Sequence, residues 1–216
     1  MPKPIRRVKL VIFDLDGTLI DAFPAIIRSF NFIMRSLGYP LRDALTIRRA
    51  VGWGDSNLLK PFVPKKDLPR AAALYRRHHK QALLTGSRLY PGARKLLVYL
   101  KSKGYQLAVA SNRPTAFSQI IIRRHHLNKF FAQVICADVL KKGKPHPQIL
   151  KEIMRKLRFA PGETVFVGDM AIDAETARRA KVKAIIVLSD PGMEKKIRLE
   201  KPYDLIRRIS LLAKLV

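Results

Sequence analysis

Five short apolar runs, spaced by stretches of helical periodicity, leave this chain few ways to fold. Residues 8–13 (VKLVIF), 105–110 (YQLAVA), 131–136 (FAQVIC), 164–167 (TVFV) and 184–188 (AIIVL) read as strands: short, rich in β-branched residues and bounded by turn formers. Residues 93–103, 115–126, 147–157, 173–180 and 204–215 carry helical spacing. The first of these is opened by Pro91-Gly92 and closed by Gly104, which suits the residue just past a helix end. Strands alternating with helices predict an α/β domain, because parallel strands need crossover connections and those are usually helical.

The expected architecture is therefore a Rossmann-like parallel sheet flanked by helices. Residues 20–88 break the rhythm. Residues 22–37 place Phe23, Ile26, Ile27, Phe30, Ile33, Met34 and Leu37 on one stripe; 42–51 and 68–84 also read as helices, and no strand is expected among them. This predicts a small all-helical cap inserted after the first strand. The core would comprise 1–19 and 89–216, the cap 20–88, with hinges at 18–21 and 87–91.

Composition bears on partners. The 216 residues hold 43 Lys and Arg against 16 Asp and Glu, a formal charge of +27. Such a field attracts polyanions and small phosphorylated molecules. The bases are spread along the chain: residues 20–88 hold 13 Lys/Arg and 4 Asp/Glu, a net of +9. With no basic tail, finger spacing or RNP-like aromatic motif, weak non-specific nucleic-acid binding is expected only as a secondary property. No uncharged apolar run is long enough to span a bilayer. The basic N-terminus lacks a small-residue cleavage site, and the lone Cys136 has no partner for an internal disulfide. A cytoplasmic protein, monomeric or homodimeric, is expected.

The scarce acids are more informative. Asp14-Leu15-Asp16-Gly17-Thr18 follows the first strand directly. Ligands of open α/β sheets bind at the carboxyl ends of strands, and two carboxylates so close repel unless a cation or proton shares their site. The bland reading is a turn with Asp as turn former. Gly168-Asp169 follows the fourth strand, with Asp173 four residues on. Asp173 reads equally as a helix cap and as a metal ligand. Asp14, Asp16 and Asp169 together would suit Mg²⁺, a hard cation that takes carboxylate oxygens. Ser111-Asn112 ends the second strand, where a hydroxyl and backbone N–H groups can hold a phosphate oxygen or cap a helix. Lys144 is singled out from Lys141 and Lys142 by Pro145 and Pro147, which stiffen the backbone on its C-terminal side.

Other residues read as structural. His78-His79 and His125-His126 sit in Arg-rich helical stretches and are expected at the surface, His146 at the border of the site, and Cys136 in the core. Gly52-Trp53-Gly54 is expected as a cap loop reaching the substrate. Arg48 and Arg49 read as solvated helix charge, with contact to an anionic substrate group as the alternative.

Taken in order, Asp14-x-Asp16-Gly17-Thr18, Ser111-Asn112, Lys144-Pro145-x-Pro147 and Gly168-Asp169-x-x-x-Asp173 resemble the four motifs of the haloacid dehalogenase-like hydrolase superfamily. The likeness spans nearly the whole chain, including the insertion after the first motif. It implies Asp14 as nucleophile, forming an aspartyl-phosphate, and Asp16 as general acid and base. It implies Mg²⁺ held by Asp14, the backbone carbonyl of Asp16, and Asp169, with Asp173 in support. Thr18, Ser111, Asn112 and Lys144 would bind the phosphoryl group. An acid at position 16 is similar to the phosphatases and phosphomutases of the superfamily, and Ser111-Asn112-Arg113-Pro114 to the phosphoglycolate phosphatases. The expected activity is Mg²⁺-dependent hydrolysis of a small, phosphoglycolate-like monoester. A nucleotidase, pyrophosphatase or sugar phosphomutase is the alternative within the superfamily, and a nucleic-acid-binding protein on a hydrolase scaffold the alternative outside it. Lys181, where the family often has glycine, departs from the pattern at a helix end.

Overall fold

A computed structural model describes residues 4–216, apart from the side chains of Asp55 and Ser56. The chain runs β1 (Leu10–Phe13), β2 (Ile20–Asp21), α1 (Phe23–Ser36), α2 (Ala44–Ala50), α3 (Asp55–Leu59), α4 (Leu68–Gly86) and β3 (Arg88–Leu89). It continues through α5 (Ala93–Ser102), β4 (Gln106–Ser111), α6 (Thr115–Arg124), β5 (Gln133–Cys136), α7 (Gln148–Leu157) and β6 (Thr164–Gly168). It ends with α8 (Ala171–Ala180), β7 (Lys183–Val187), α9 (Glu194–Leu199), β8 (Asp204–Ile206) and a 3₁₀ segment, Ile209–Lys214.

Six strands form one sheet in the order β5-β4-β1-β6-β7-β8, all parallel. β1 lies between β4 and β6, with Ile12 opposite Ala108 on one side and Phe166 on the other. Its side chains alternate between two cores. Val11 and Phe13 face the layer that contains α5 and α6, while Leu10 and Ile12 face α7 and α8. A strand buried on both faces reads as a continuous apolar run, which is why VKLVIF was legible as a strand. The α/β expectation holds: this is a Rossmann-like parallel sheet flanked by helices.

Between β2 and β3 the described residues contain helices and turns. α1 packs along α4, burying Phe30, Ile33 and Met34 against the face that carries Tyr75 and Leu83. β2 and β3 pair antiparallel, Ile20 with Leu89 and Asp21 with Arg88. This ribbon stands where the sequence suggested hinges and no strand, since two residues on each side are too few to show periodicity.

One element is corrected. Residues 204–215 are not a helix. Leu205 pairs parallel with Ile186, adding an edge strand, and the chain then tightens into the 3₁₀ turn. Ile209, Leu212 and Leu215 are all buried at intervals of three. Apolar residues three apart satisfy an α-helical template in sequence, but they also align on one face of a 3₁₀ turn.

Candidate active site

The carboxyl ends of β1, β4 and β6 converge, and the loops after them carry the polar residues. Asp14 follows β1, and its amide donates to the Val167 carbonyl at 2.8 Å, which ties the loop to β6. Asp169 follows β6. Asp173 comes from the first turn of α8, which starts at Ala171, two residues earlier than the spacing suggested. Carboxylate oxygens of Asp14, Asp169 and Asp173 all lie within 4.8 Å of one another, and all three residues are buried.

One ammonium faces this cluster. Lys144 Nζ lies 2.8 Å from Asp14 Oδ1 and 2.7 Å from Asp173 Oδ1, and the lysine is itself buried. Burial would release its proton, but the charges of Asp14 and Asp173 outweigh burial and raise its pKa above the usual lysine range. Burial also pushes the Asp14 carboxyl up to about 7, against the pull of Lys144 and with the repulsion of Asp173. Asp169 is raised well above the ordinary carboxylate value by burial, then by Asp173 and Asp14. Three carboxylates around one lysine leave an excess of negative charge. Hard oxygen donors at this spacing are therefore a site that could hold a divalent cation.

Asp173 has both readings at once. Its Oδ2 accepts the amides of Asp169 (3.2 Å) and Met170 (3.0 Å), as a helix-start acid does, while Oδ1 takes Lys144. Thr18 is fully buried and donates its hydroxyl to Asp169 Oδ1 at 3.2 Å. Gly17 has φ of 82°, and a Cβ there would overlap the Asp169 carboxylate. Glycine is required on both counts.

Ser111 ends β4, and its hydroxyl accepts the Arg113 amide at 3.1 Å. The Asn112 carboxamide is engaged with backbone. Its oxygen accepts the Lys144 amide at 2.8 Å, and its nitrogen donates to the carbonyls of Lys144 and Gly52, both at 2.9 Å. Asn112 thus clamps the Lys144 backbone to the loop between α2 and α3. Lys141 and Lys142 are exposed.

Asp14, Asp16, Ser111, Asn112 and Lys144 line one cavity of about 40 Å³, with Val51, Gly52, Gly54, Leu58 and Tyr75 contributed from residues 20–88. A cavity of about 370 Å³ shares Gly54, Tyr75, Asn112 and Lys144 with it and reaches Trp53 and Arg76. The Gly52-Trp53-Gly54 loop therefore does border the site. Arg48 lies over the Phe23 ring at 4.1 Å, and with Arg49 it lines a separate small cavity beside Asp169.

Two residues escaped the sequence reading. Arg113 is 6% exposed and donates from Nε and Nη2 to both oxygens of Asp16, at 2.6 and 2.9 Å. Among so many arginines, its place directly after Ser111-Asn112 was the available signal. His79 is fully buried, not at the surface, with Nε2 2.8 Å from Arg113 Nη1. Its register with Tyr75 and Leu83, four residues to either side on the buried face of α4, was legible, but the Arg-rich context obscured it. His125 is half-buried against Ser87 at 3.1 Å, His146 is half-buried, and Cys136 is buried beside Ser118.

Known proteins resemble this chain in sequence and in fold. Residues 11–187 match the family model for haloacid dehalogenase-like hydrolases. A phosphoglycolate phosphatase of Nitrosospira multiformis is 34% identical over 181 residues, covering 80% of each chain. One from Nitrosococcus oceani is 29% identical over 189 residues, covering 84% of each. The crystal structure of a predicted phosphoglycolate phosphatase from Haemophilus somnus superposes with a TM-score of 0.89 at 25% identity, covering 97% of this chain and 98% of that one.

Replacing Gly17 with alanine is expected to cost about 1–3 kcal/mol, because the methyl group must displace Asp169. Thermal unfolding should show a midpoint several degrees lower; an unchanged midpoint would mean that the loop yields without disturbing the carboxylate.

Proposed function

This chain belongs to the haloacid dehalogenase-like hydrolases, and on that premise we propose that it hydrolyses a small phosphate monoester, of phosphoglycolate type, through phosphorylation of Asp14. The observation that carries the reading is the buried Asp14 at the end of the central strand, ion-paired with Lys144 and lining one cavity with Ser111. The choice of a small ester rests on the curated relatives named above, which are phosphoglycolate phosphatases.

In the proposed reaction a carboxylate oxygen of Asp14 attacks phosphorus and the ester P–O bond breaks. Asp16 gives its proton to the departing oxygen. Water then attacks phosphorus, Asp16 takes the water's proton, and the Asp14–phosphorus bond breaks to free inorganic phosphate and restore the carboxylate. Lys144 and Ser111 hold phosphoryl oxygens, and Asn112 keeps Lys144 in place. Asp14, the Asp16 carbonyl and Asp169 would hold Mg²⁺, supported by Asp173. When bound, the cation would supply charge compensation for the transferring phosphoryl group. Residues 20–88 act as a cap over a core of 1–19 and 89–216, with the Gly52-Trp53-Gly54 loop setting which leaving groups enter.

Phosphate release from 2-phosphoglycolate, nucleotides, pyrophosphate and sugar phosphates tests this reading. The wild type should favour the smallest ester, and Asp14→Asn should lose at least about 10³-fold in kcat while staying folded. Full activity in that variant would overturn the nucleophile assignment. Chelation with EDTA should silence turnover and added Mg²⁺ restore it; indifference to the chelator would remove the cation from the proposal.

A further inference from the structure

The side chain of Asp16 is held by a guanidinium whose far side is held by the helical insert. Arg113 sends Nε and Nη2 to the two oxygens of Asp16, and its remaining nitrogen, Nη1, meets His79 Nε2 at 2.8 Å. A guanidinium can only donate, so Nε2 of His79 must present its lone pair and the ring proton must sit on Nδ1. Nδ1 lies 3.0 Å from Ser29 Oγ on α1, which also stands 3.0 Å from His78 Nδ1, and the Ala25 backbone is a further acceptor for the ring. The ring is locked sideways as well: it stacks on Tyr75 at 4.7 Å and meets the edge of Phe117 at 5.1 Å. Burial, and then the charge of Arg113, push the His79 pKa down to about 2, so the ring is neutral and able to accept.

We infer that His79 is a positioning residue, reaching from the insert to orient Arg113 and, through it, Asp16, so that the acid–base carboxylate is set only while the insert is seated on the core. His79 and Ser29 belong to α4 and α1, whereas Arg113 and Asp16 follow β4 and β1. The chain of contacts therefore crosses from the insert to the core at the residue that moves protons. A phenylalanine at position 79 would keep the stacking and lose the acceptor. A bidentate ion pair tolerates rotation poorly, and a guanidinium that loses its His79 contact can turn against the carboxylate it holds at the cavity wall.

The inference rests on the proposed acid–base role of Asp16, and its test separates the two. Turnover of 2-phosphoglycolate, whose alkoxide needs a proton to leave, is compared with that of p-nitrophenyl phosphate, whose phenolate does not. His79→Phe should lower kcat/KM, which reports transfer to Asp14 and not the later hydrolysis that both esters share, by about 10–100-fold for the first and leave it within about threefold for the second. His79→Gln, which retains an acceptor, should recover part of the loss. In an Arg113→Ala background, His79→Phe should add no further loss. Equal losses of kcat/KM on both esters, or additive losses in the double variant, would overturn the inference while leaving the phosphatase reading intact. Should the wild type hydrolyse neither ester, that reading fails, and NMR still decides the positioning. The ¹⁵N spectrum of the wild type should show His79 as the Nδ1–H tautomer, and an Arg113 Nε–H signal should be visible in His79→Gln but broadened by exchange in His79→Phe. An Nε2–H tautomer, or an Arg113 signal indifferent to both substitutions, would refute it.

Discussion

Burying three carboxylates around one ammonium is the constraint on which the rest of this structure depends. Asp14, Asp169 and Asp173 come from the ends of adjacent strands and the first turn of a helix, and Lys144 touches two of them. Isolated buried charges are costly, so each must be compensated, and here compensation is incomplete. Burial first, and the repulsion of neighbouring carboxylates after it, raises Asp14 and Asp169 above ordinary carboxylate values, and a cation bound there would complete the compensation. Gly17, Thr18 and Asn112 act through this cluster: the glycine makes room for Asp169, the threonine donates to it, and the asparagine holds the lysine backbone.

The helical insert contributes on two fronts. Its Gly52-Trp53-Gly54 loop forms one wall of the cavity and is bonded to Asn112 through the Gly52 carbonyl. Its α4 places His79 behind Arg113. With a contact at the mouth and another behind Asp16, the insert is placed, on the proposed reading, to shape both what enters and how that carboxylate is presented. Catalytic groups held by packed, hydrogen-bonded neighbours need less reorganisation when the reaction occurs.

Much of this was legible in the amino-acid sequence because strong local signals agreed with the fold. The five apolar runs became strands, since runs buried on both faces carry their own signature. Asp14, Asp169, Asp173, Ser111 and Lys144 were each flagged by position after a strand or beside prolines, and the fold brings them together. What escaped had signals that point two ways. Residues 204–215 carry apolar spacing shared by an α-helix and by a strand followed by a 3₁₀ turn, and only the free edge of β7 decides between them. His79 and Arg113 were hidden by composition: in a chain of such positive charge, a buried arginine looks like every exposed one until its carboxylate partner is in view.

The central claim is that Asp14 itself carries the phosphoryl group. Reacting the Mg²⁺-loaded wild type with ³²P-labelled 2-phosphoglycolate, quenching in acid and reducing with borohydride tests it directly, since borohydride converts an acyl phosphate to an alcohol that peptide mass spectrometry can place. The account predicts radiolabel on the protein and reduction confined to Asp14. Phosphate released at full rate with no labelled protein at any quench time, or reduction at another carboxylate, would contradict it.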